Sequence, residues 1–404
     1  MSTNVLTPEQ TALVHQAASV QGLKEYKINI NPGSSKGDNY LGIIHSLAVE
    51  GNEASLFLIL KTAHTSEEVR KANPIPQAFQ REAFIYSIVI PRLQQIQEQY
   101  AISSPFTGVA QYYGSCLDLH KESILLQNLK ECGYRLWDRK KPMDDAHIGL
   151  VFSEYARFHA ASLAWRFHYP EEFSSLTKNM HQNVVEANNP GSRERKKEKL
   201  NGYFQVGRAA TQGNAKASAG IEKLRSEIAQ LIERSHFLGR DRFVVLHGDC
   251  WCNNMLFKYH DNQPNSPSQV CFIDWQISKL GSPILDLAYF FSVCAPKELF
   301  ANLHKYLAAY HQTMAKNLRE FGCRPDEIFS WTQLLEDWNR NAWYGVFLAM
   351  MIIKLMLSDA EEAPAMNADA DIISSLTNFS SRKEAEFEKR LCDLVEFMVD
   401  HNYI

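Results

Sequence analysis

The chain has 404 residues, 42 Lys and Arg against 46 Asp and Glu, a formal charge of -4 and 45% hydrophobic residues. That length holds two compact units or one bilobal enzyme, and the balanced charge excludes collagenous, wholly disordered and strongly basic nucleic-acid-binding classes. The eight cysteines are scattered without a C-x-x-C pair, so neither a zinc site nor a dense disulfide framework is indicated, and reduced, mostly buried thiols are expected.

The first residues, Met1 to Gln16, carry neither a basic start with an apolar stretch nor an Arg-rich, acid-poor pattern, so a cytoplasmic protein is expected. Gly33-Ser34-Ser35-Lys36-Gly37-Asp38-Asn39-Tyr40 reads as a turn ahead of a strand over Tyr40 to Val49. After Glu50-Gly51-Asn52-Glu53 a second strand, Ser55 to Lys61, alternates Leu56, Leu58 and Leu60 against Phe57, Ile59 and Lys61. The pair is a β-hairpin that ends in a lysine.

Pro74 and Pro76 mark a loop, and Phe79, Ala83, Tyr86 and Ile90 then recur at helical spacing until Pro91 stops the pattern, which puts Glu82 on that helix. Short strands follow over Gly108 to Tyr113 and Ser123 to Leu126. Lys130-Glu131-Cys132-Gly133 is the connector, dividing residues 1–129 from 130–404. Beyond it the pattern turns helical, over Ile148 to Trp165, Ser218 to Arg234, after Pro296 and through much of Ile328 to Ile404. The run Arg193 to Lys199 mixes both signs and reads as a solvated face, so no nucleic-acid partner is expected. Ala342 to Ile353 is stopped by Lys354, short of the roughly 18 apolar residues of a membrane span, and is read as a buried helix. Asn378-Phe379-Ser380 matches a glycosylation sequon only by chance in a chain of this kind.

The chemistry concentrates in Val244 to Phe257. An apolar strand delivers His247-Gly248-Asp249, Asn254 follows five residues after the aspartate, and an apolar strand resumes. After the turn-rich His260 to Ser268, a strand over Val270 to Ile273 ends in Asp274-Trp275-Gln276. Phosphoryl transfer needs such a pair of loops: a carboxylate that accepts a hydroxyl proton, an amide oxygen and a strand-end carboxylate that hold Mg²⁺. A strand lysine (Lys61), a helix glutamate (Glu82), H-x-D-x-x-x-x-N and a strand-end aspartate stand in the order of a kinase signature.

On these residues, with HGDCWCNNMLF followed by FIDWQISKLGSPILDLAYFF, the chain resembles the choline and aminoglycoside kinase superfamily and, within it, the ecdysteroid kinase-like (CHK kinase-like) family best known from insects. The resemblance implies an α+β, bilobal protein kinase-like fold, with a small antiparallel-sheet N-lobe and a larger helical C-lobe. It implies Asp249 as catalytic base, His247 as support of its loop, and Asn254 and Asp274 as Mg²⁺ ligands. Lys61, paired with Glu82, would meet the ATP phosphates. Gly33, Gly37 and Asn39 would belong to the phosphate-covering turn, where backbone N–H groups approach phosphate oxygens. Gln127 and Leu129 would belong to the hinge that meets the adenine. Asp286 would brace the catalytic loop, and Trp251 would pack beneath it. The implied acceptor is a small hydroxylated lipophile such as an ecdysteroid or a xenobiotic alcohol or phenol, phosphorylated by a monomeric enzyme of detoxification. Trp343, Tyr344, Met350 and Met351 are candidates for its pocket, with core packing as their other reading.

The alternative is a silent pseudokinase that binds nucleotide or a lipophilic ligand. Gly33-Ser34-Ser35-Lys36-Gly37 also fits the G-x-S-x-G nucleophile pattern of hydrolases, but a strand follows it where that motif needs a helix, and no H-G-G-G segment is present. No G-x-x-x-x-G-K-[ST] occurs either, and no Ala-Pro-Glu segment that would point to protein substrates.

Overall fold

The alternating hydrophobics of residues 55–61 form β3 (Ser55–Ala63), paired antiparallel with β2 (Gly42–Gly51). A computed structural model describes residues 6–33, 42–181, 192–260, 263–359, 361–362 and 381–404. The sheet has five strands in the order β1-β2-β3-β5-β4, with β1 at Tyr26–Pro32, β4 at Tyr112–Cys116 and β5 at Ser123–Gln127. Period-two alternation sends Leu58 and Leu60 to one face, where they bury against Val14, Ala17 and Ala18 of α1 (Pro8–Val20). Ile59 and Lys61 therefore point to the other face, into a cleft. Helix α1 has no counterpart among the expected elements; Thr7 and Gln10 close a capping box at its start.

Pro91 does not end its helix. Beyond α2 (Glu67–Ala72), α3 (Ile75–Phe84) passes through a π turn at Ile85–Val89 into α4 (Ile90–Gln99). The π turn shifts the hydrogen-bond register, and Pro91 falls in the first turn of the resumed helix, where a missing N–H costs least. The strand expected over 108–113 starts later, because Gly108 runs beside the next sheet instead and accepts a hydrogen bond from Phe272 N at 2.8 Å. A Cβ at Gly108 would stand 2.7 Å from Val270 O, so only glycine permits this approach.

The connector is a single 3₁₀ turn, Leu129–Cys132, closed by Gly133 at φ 83°. β6 (Arg135–Leu136) then joins β8 (Met255–His260) and β9 (Gln263–Phe272) in a three-stranded sheet. The turn-rich stretch is thus mostly strand: β9 is an edge, where Pro264 and Pro267 interrupt no second ladder. β7 (Val244–Leu246) pairs with β10 (Lys279–Gly281).

The rest is helical: α5 (Asp145–His168), α6 (Pro170–Thr177), α7 (Ser192–Thr211), α8 (Ala215–Phe237), α9 (Ile284–Cys294), α10 (Leu303–Glu320), α11 (Pro325–Ile328), α12 (Trp331–Asn341), α13 (Trp343–Leu357) and α14 (Glu384–Asp400). The charge run 193–199 opens α7. Every residue of α9 is buried. α13 crosses it so closely that a Cβ at Gly345 would collide with Ala288 O and Ser292 Oγ. Lys354 is carried inside α13 rather than stopping it. One hydrophobic core runs from the cleft-side face of the first sheet to α14. This is the α+β architecture expected, a small antiparallel sheet against a larger helical body. Among the described residues no single helix is long and apolar enough to cross a membrane. All eight cysteines are free thiols. The sequon and residues 34–41, with Gly37, Asn39 and the hydrolase-type Ser35, lie outside the described residues.

Candidate active site

Lys61 leaves the end of β3 on the cleft face, buried to 4% exposure. Its Nζ donates to Glu82 Oε2 and to Asp274 Oδ1, each at 2.6 Å, and reaches Gln276 Oε1 at 3.4 Å. Three distant segments thus meet on one ammonium. Burial works against its charge, but the Asp274 and Glu82 carboxylates outweigh burial and raise its pKa. Burial lifts Glu82 to about 7, with repulsion from Asp274 adding to it and the Lys61 charge opposing it.

Asp274 follows the last buried residues of β9 with φ 67°, a left-handed conformation rare for a non-glycine residue. Gln276 Nε2 donates to its Oδ2 at 3.3 Å.

The loop after β7 is set by backbone bonds to a buried helix. His247 N donates to Asp286 Oδ2 at 2.8 Å and Gly248 N to Asp286 Oδ1 at 3.0 Å, so the first turn of α9 grips both amides. Burial would raise the Asp286 carboxyl, yet the His159 hydrogen bond holds it below its ordinary value. His159 stands 3.4 Å from Asp286 Oδ2 through Nε2 and 2.8 Å from Tyr310 OH through Nδ1. Burial lowers the His159 pKa, so this imidazole is neutral at pH 7. Gly248 adopts φ 89°, and a Cβ there would lie 2.7 Å from Ile277 O; no other residue fits this turn.

His247 supports the turn through both ring nitrogens: Nε2 lies 2.9 Å from Ile273 O, and Nδ1 accepts from Asp249 N at 3.2 Å. These bonds require the neutral Nε2–H tautomer, in keeping with burial that lowers the His247 pKa.

Asp249 receives three side-chain donors. Asn254 Nδ2 and Trp251 Nε1 donate to Oδ2 at 2.8 and 3.3 Å, and Tyr289 OH donates to Oδ1 at 2.9 Å. Burial, and secondly repulsion from Asp274, push its carboxyl up to about 6 against those donors. It is ionised at neutral pH yet close enough to take a proton.

Asn254, Asp274, Lys61 and Glu82 line one cleft. Ile44, Ile59, Leu126 and Leu256 form its apolar walls, and Gly33, Gln127 and Leu129 border it. A Cβ at Gly33 would press within 2.7 Å of Ile44 Cγ2. Asp274 and Asn254 offer hard oxygen donors of the kind Mg²⁺ takes. Both bonds of Asn254 Nδ2 go to Asp249, which turns Oδ1 away from the loop as the donor atom. Among the described residues no three His, Cys, Asp or Glu cluster as a metal site.

The structure brings together Lys61, Glu82, His247, Asp249, Trp251, Asn254, Asp274 and Asp286. Sequence reasoning missed Tyr289, His159 and Tyr310. Tyr289 lies three residues beyond Asp286, so helical spacing turns both toward the loop, and that spacing was the available signal. A lone histidine in an apolar helix gave none for His159. Trp343, Met350 and Met351 are core residues, while Tyr344 is half-buried beside Lys279.

A model of the ecdysteroid kinase-like family matches residues 36–323. No curated protein matches the chain. Among solved structures, spectinomycin phosphotransferase APH(9)-Ia in complex with ADP and spectinomycin is 11% identical, over 95% of each chain, with a TM-score of 0.42. A mutant of aminoglycoside 2'-phosphotransferase-IIIa with GDP is 10% identical, over 86% of this chain and 90% of that one, with a TM-score of 0.40. Both scores lie below 0.5, and kinship rests on the family match.

Proposed function

The chain belongs to the ecdysteroid kinase-like family, and from that premise we propose that it is an ATP-dependent small-molecule kinase transferring the γ-phosphoryl group to a hydroxyl of a lipophilic acceptor. The observation that carries this reading is the convergence of Lys61, Glu82, Asp274 and Asn254 on a single cleft, with Asn254 bonded to Asp249. In this reading residues 1–129 cover the nucleotide and residues 130–404 carry the catalytic loop, the metal ligands and the acceptor site. The protein acts as a cytoplasmic monomer in detoxification, on an ecdysteroid or a xenobiotic alcohol or phenol.

Lys61 binds the α- and β-phosphates once Asp274 yields to them, and Glu82 keeps it aimed. Gly33, with Gly37 and Asn39, covers the phosphates, and Gln127 and Leu129 flank the adenine. Asp274 and Asn254 hold Mg²⁺, which when bound neutralises the charge on the β- and γ-phosphates. Asp249 aligns the acceptor hydroxyl and takes its proton as the acceptor oxygen bonds to the γ-phosphorus and the bridging oxygen leaves with ADP. His247 and Asp286 keep the carboxylate in place.

The test is ADP release from Mg·ATP by purified protein against ecdysteroids, phenols, choline and aminoglycosides, with Asp274→Asn as the blank. Release that depends on an ecdysteroid or a phenol and vanishes in the variant is expected. Binding of Mg·ATP without acceptor-dependent release would favour the silent pseudokinase.

A further inference from the structure

The turn that follows Asp274 is pinned from three sides. Trp275 is fully buried, its ring centre 4.5 Å from that of His247 and 5.2 Å from that of Phe158. Ser278 N closes the turn on Trp275 O at 3.1 Å, and Ser278 Oγ donates to His247 O at 3.1 Å. Arg81, the neighbour of Glu82 on α3, donates to Ser278 O. Gln276 lies inside this turn, only 8% exposed, so its side chain leaves a fixed stretch of backbone.

That side chain touches both members of the Lys61–Asp274 pair. Its Oε1 accepts from Lys61 Nζ at 3.4 Å, and its Nε2 donates to Asp274 Oδ2 at 3.3 Å. Chemistry permits one orientation of the amide: an ammonium has no acceptor and a carboxylate no donor, so the oxygen faces Lys61 and the nitrogen faces Asp274. The two oxygens of Asp274 therefore have different partners, Lys61 at Oδ1 and Gln276 at Oδ2. Lys61 and Asp274 have to part before one meets phosphate and the other a metal. An ion pair this far from water resists parting. An amide that meets both groups lowers that resistance, because Lys61 keeps an acceptor and Asp274 keeps a donor when the direct contact is lost.

We propose that Gln276 is a positioning residue that governs the exchange of Asp274 from Lys61 to the metal, keeping Oδ2 in place while Oδ1 changes partner. The inference rests on the kinase reading and adds how the closed charge pair opens. Because the turn of Gln276 is bonded to the catalytic loop at His247, the Asp274 carboxylate stays in register with Asp249 through the exchange. Without the amide, Lys61 would be the one side-chain donor left to Asp274 among the described residues. Release of Oδ1 would then free the whole carboxylate to rotate, and the metal would have to order it.

The experiment measures the affinity of the full chain for a fluorescent ATP analogue, without acceptor, in EDTA and in saturating Mg²⁺, for wild type and Gln276→Met. Methionine keeps the length of the side chain and removes both polar atoms. Mg²⁺ should tighten binding to wild type about tenfold or more, and Gln276→Met should cut that gain about fivefold, the worth of a hydrogen bond to a charged group. Affinity in EDTA should stay within about threefold, because Lys61 keeps Glu82. This ratio is insensitive to a general loss of stability, since both conditions use the same folded protein. Should Gln276→Met fail to bind the analogue in EDTA, Gln276→Ala replaces it. A Mg²⁺ gain equal to that of wild type overturns the proposal and leaves the kinase reading standing. Equal losses of affinity in EDTA and in Mg²⁺ overturn it as well, since Gln276 would then serve Lys61 alone. If wild type binds no analogue, or binds it equally with and without Mg²⁺, the kinase reading falls and the proposal with it.

Discussion

The two halves of the site are held by different forces. Around Lys61 one ammonium meets two carboxylates from α3 and the end of β9, separated from it by 21 and 213 residues in sequence. Around Asp249, by contrast, a buried carboxylate on α9 binds two backbone amides, and a neutral histidine carries the turn. The charged cluster can exchange one anion for another with little movement of backbone, because phosphate oxygens satisfy an ammonium as carboxylates do. The loop cannot, because its amides are out of reach of water and each has one partner. A site that must receive and release an anion while keeping its base in place uses both.

The sharpest way to break this comparison is at the base. Asp249→Asn should lower kcat about a thousandfold while the affinity for Mg·ATP stays within a few-fold; an equal loss of both would mean that the loop and the charged cluster are not separable. In the wild type, kcat/KM should hold above pH about 6 and fall tenfold per unit below it, since the carboxyl near 6 must be ionised to accept a proton. A profile level to pH 4.5 would contradict that assignment.

Next comes the grip on the loop. Asp286→Ala leaves the His247 and Gly248 amides buried without partners and should cost about 2–4 kcal/mol, read in chemical denaturation. Lys61→Met should act in the opposite sense, lowering kcat/KM for ATP about a hundredfold with a smaller change in denaturation midpoint, because Glu82, already near 7, can take up a proton when its partner goes. Similar stability losses in the two variants would erase the contrast. The smallest effect is expected at Trp251→Phe, which deletes one 3.3 Å bond to Asp249 and keeps the packing, so kcat should drop only a few-fold.

What the sequence disclosed follows the range of the interactions. The β2–β3 hairpin, the H-x-D-x-x-x-x-N loop and Asp274 at a strand end are written in residues within about twenty of one another, and periodicity reports them. Helix α1 was missed because its amphipathic signal is weak and its partner face, Leu58 and Leu60, lies forty residues away. Pro91 misled because a proline reads as a stop, and only the π turn ahead of it shows why the helix goes on. The prolines of β9 misled likewise, because a strand at an edge tolerates them. His159 and Tyr310 sit on two helices that meet only in the folded chain, so their hydrogen bond to each other and the contact of His159 with Asp286 had no local signature.

Arg81, next to Glu82 on α3, spans the cleft in the other direction. One of its terminal nitrogens donates to Ser278 O, and the other to Asn179 O at 3.0 Å, a residue just beyond α6. The helix that carries Glu82 is thereby tied to the helical body as well as, through Lys61, to the sheet it packs beneath. In mechanical terms α3 belongs to the anvil, and the meander of β1, β2 and β3 is the hammer. Any widening of the cleft that admits a nucleotide should then show as a swing of those three strands, with the distance between α3 and β10 unchanged.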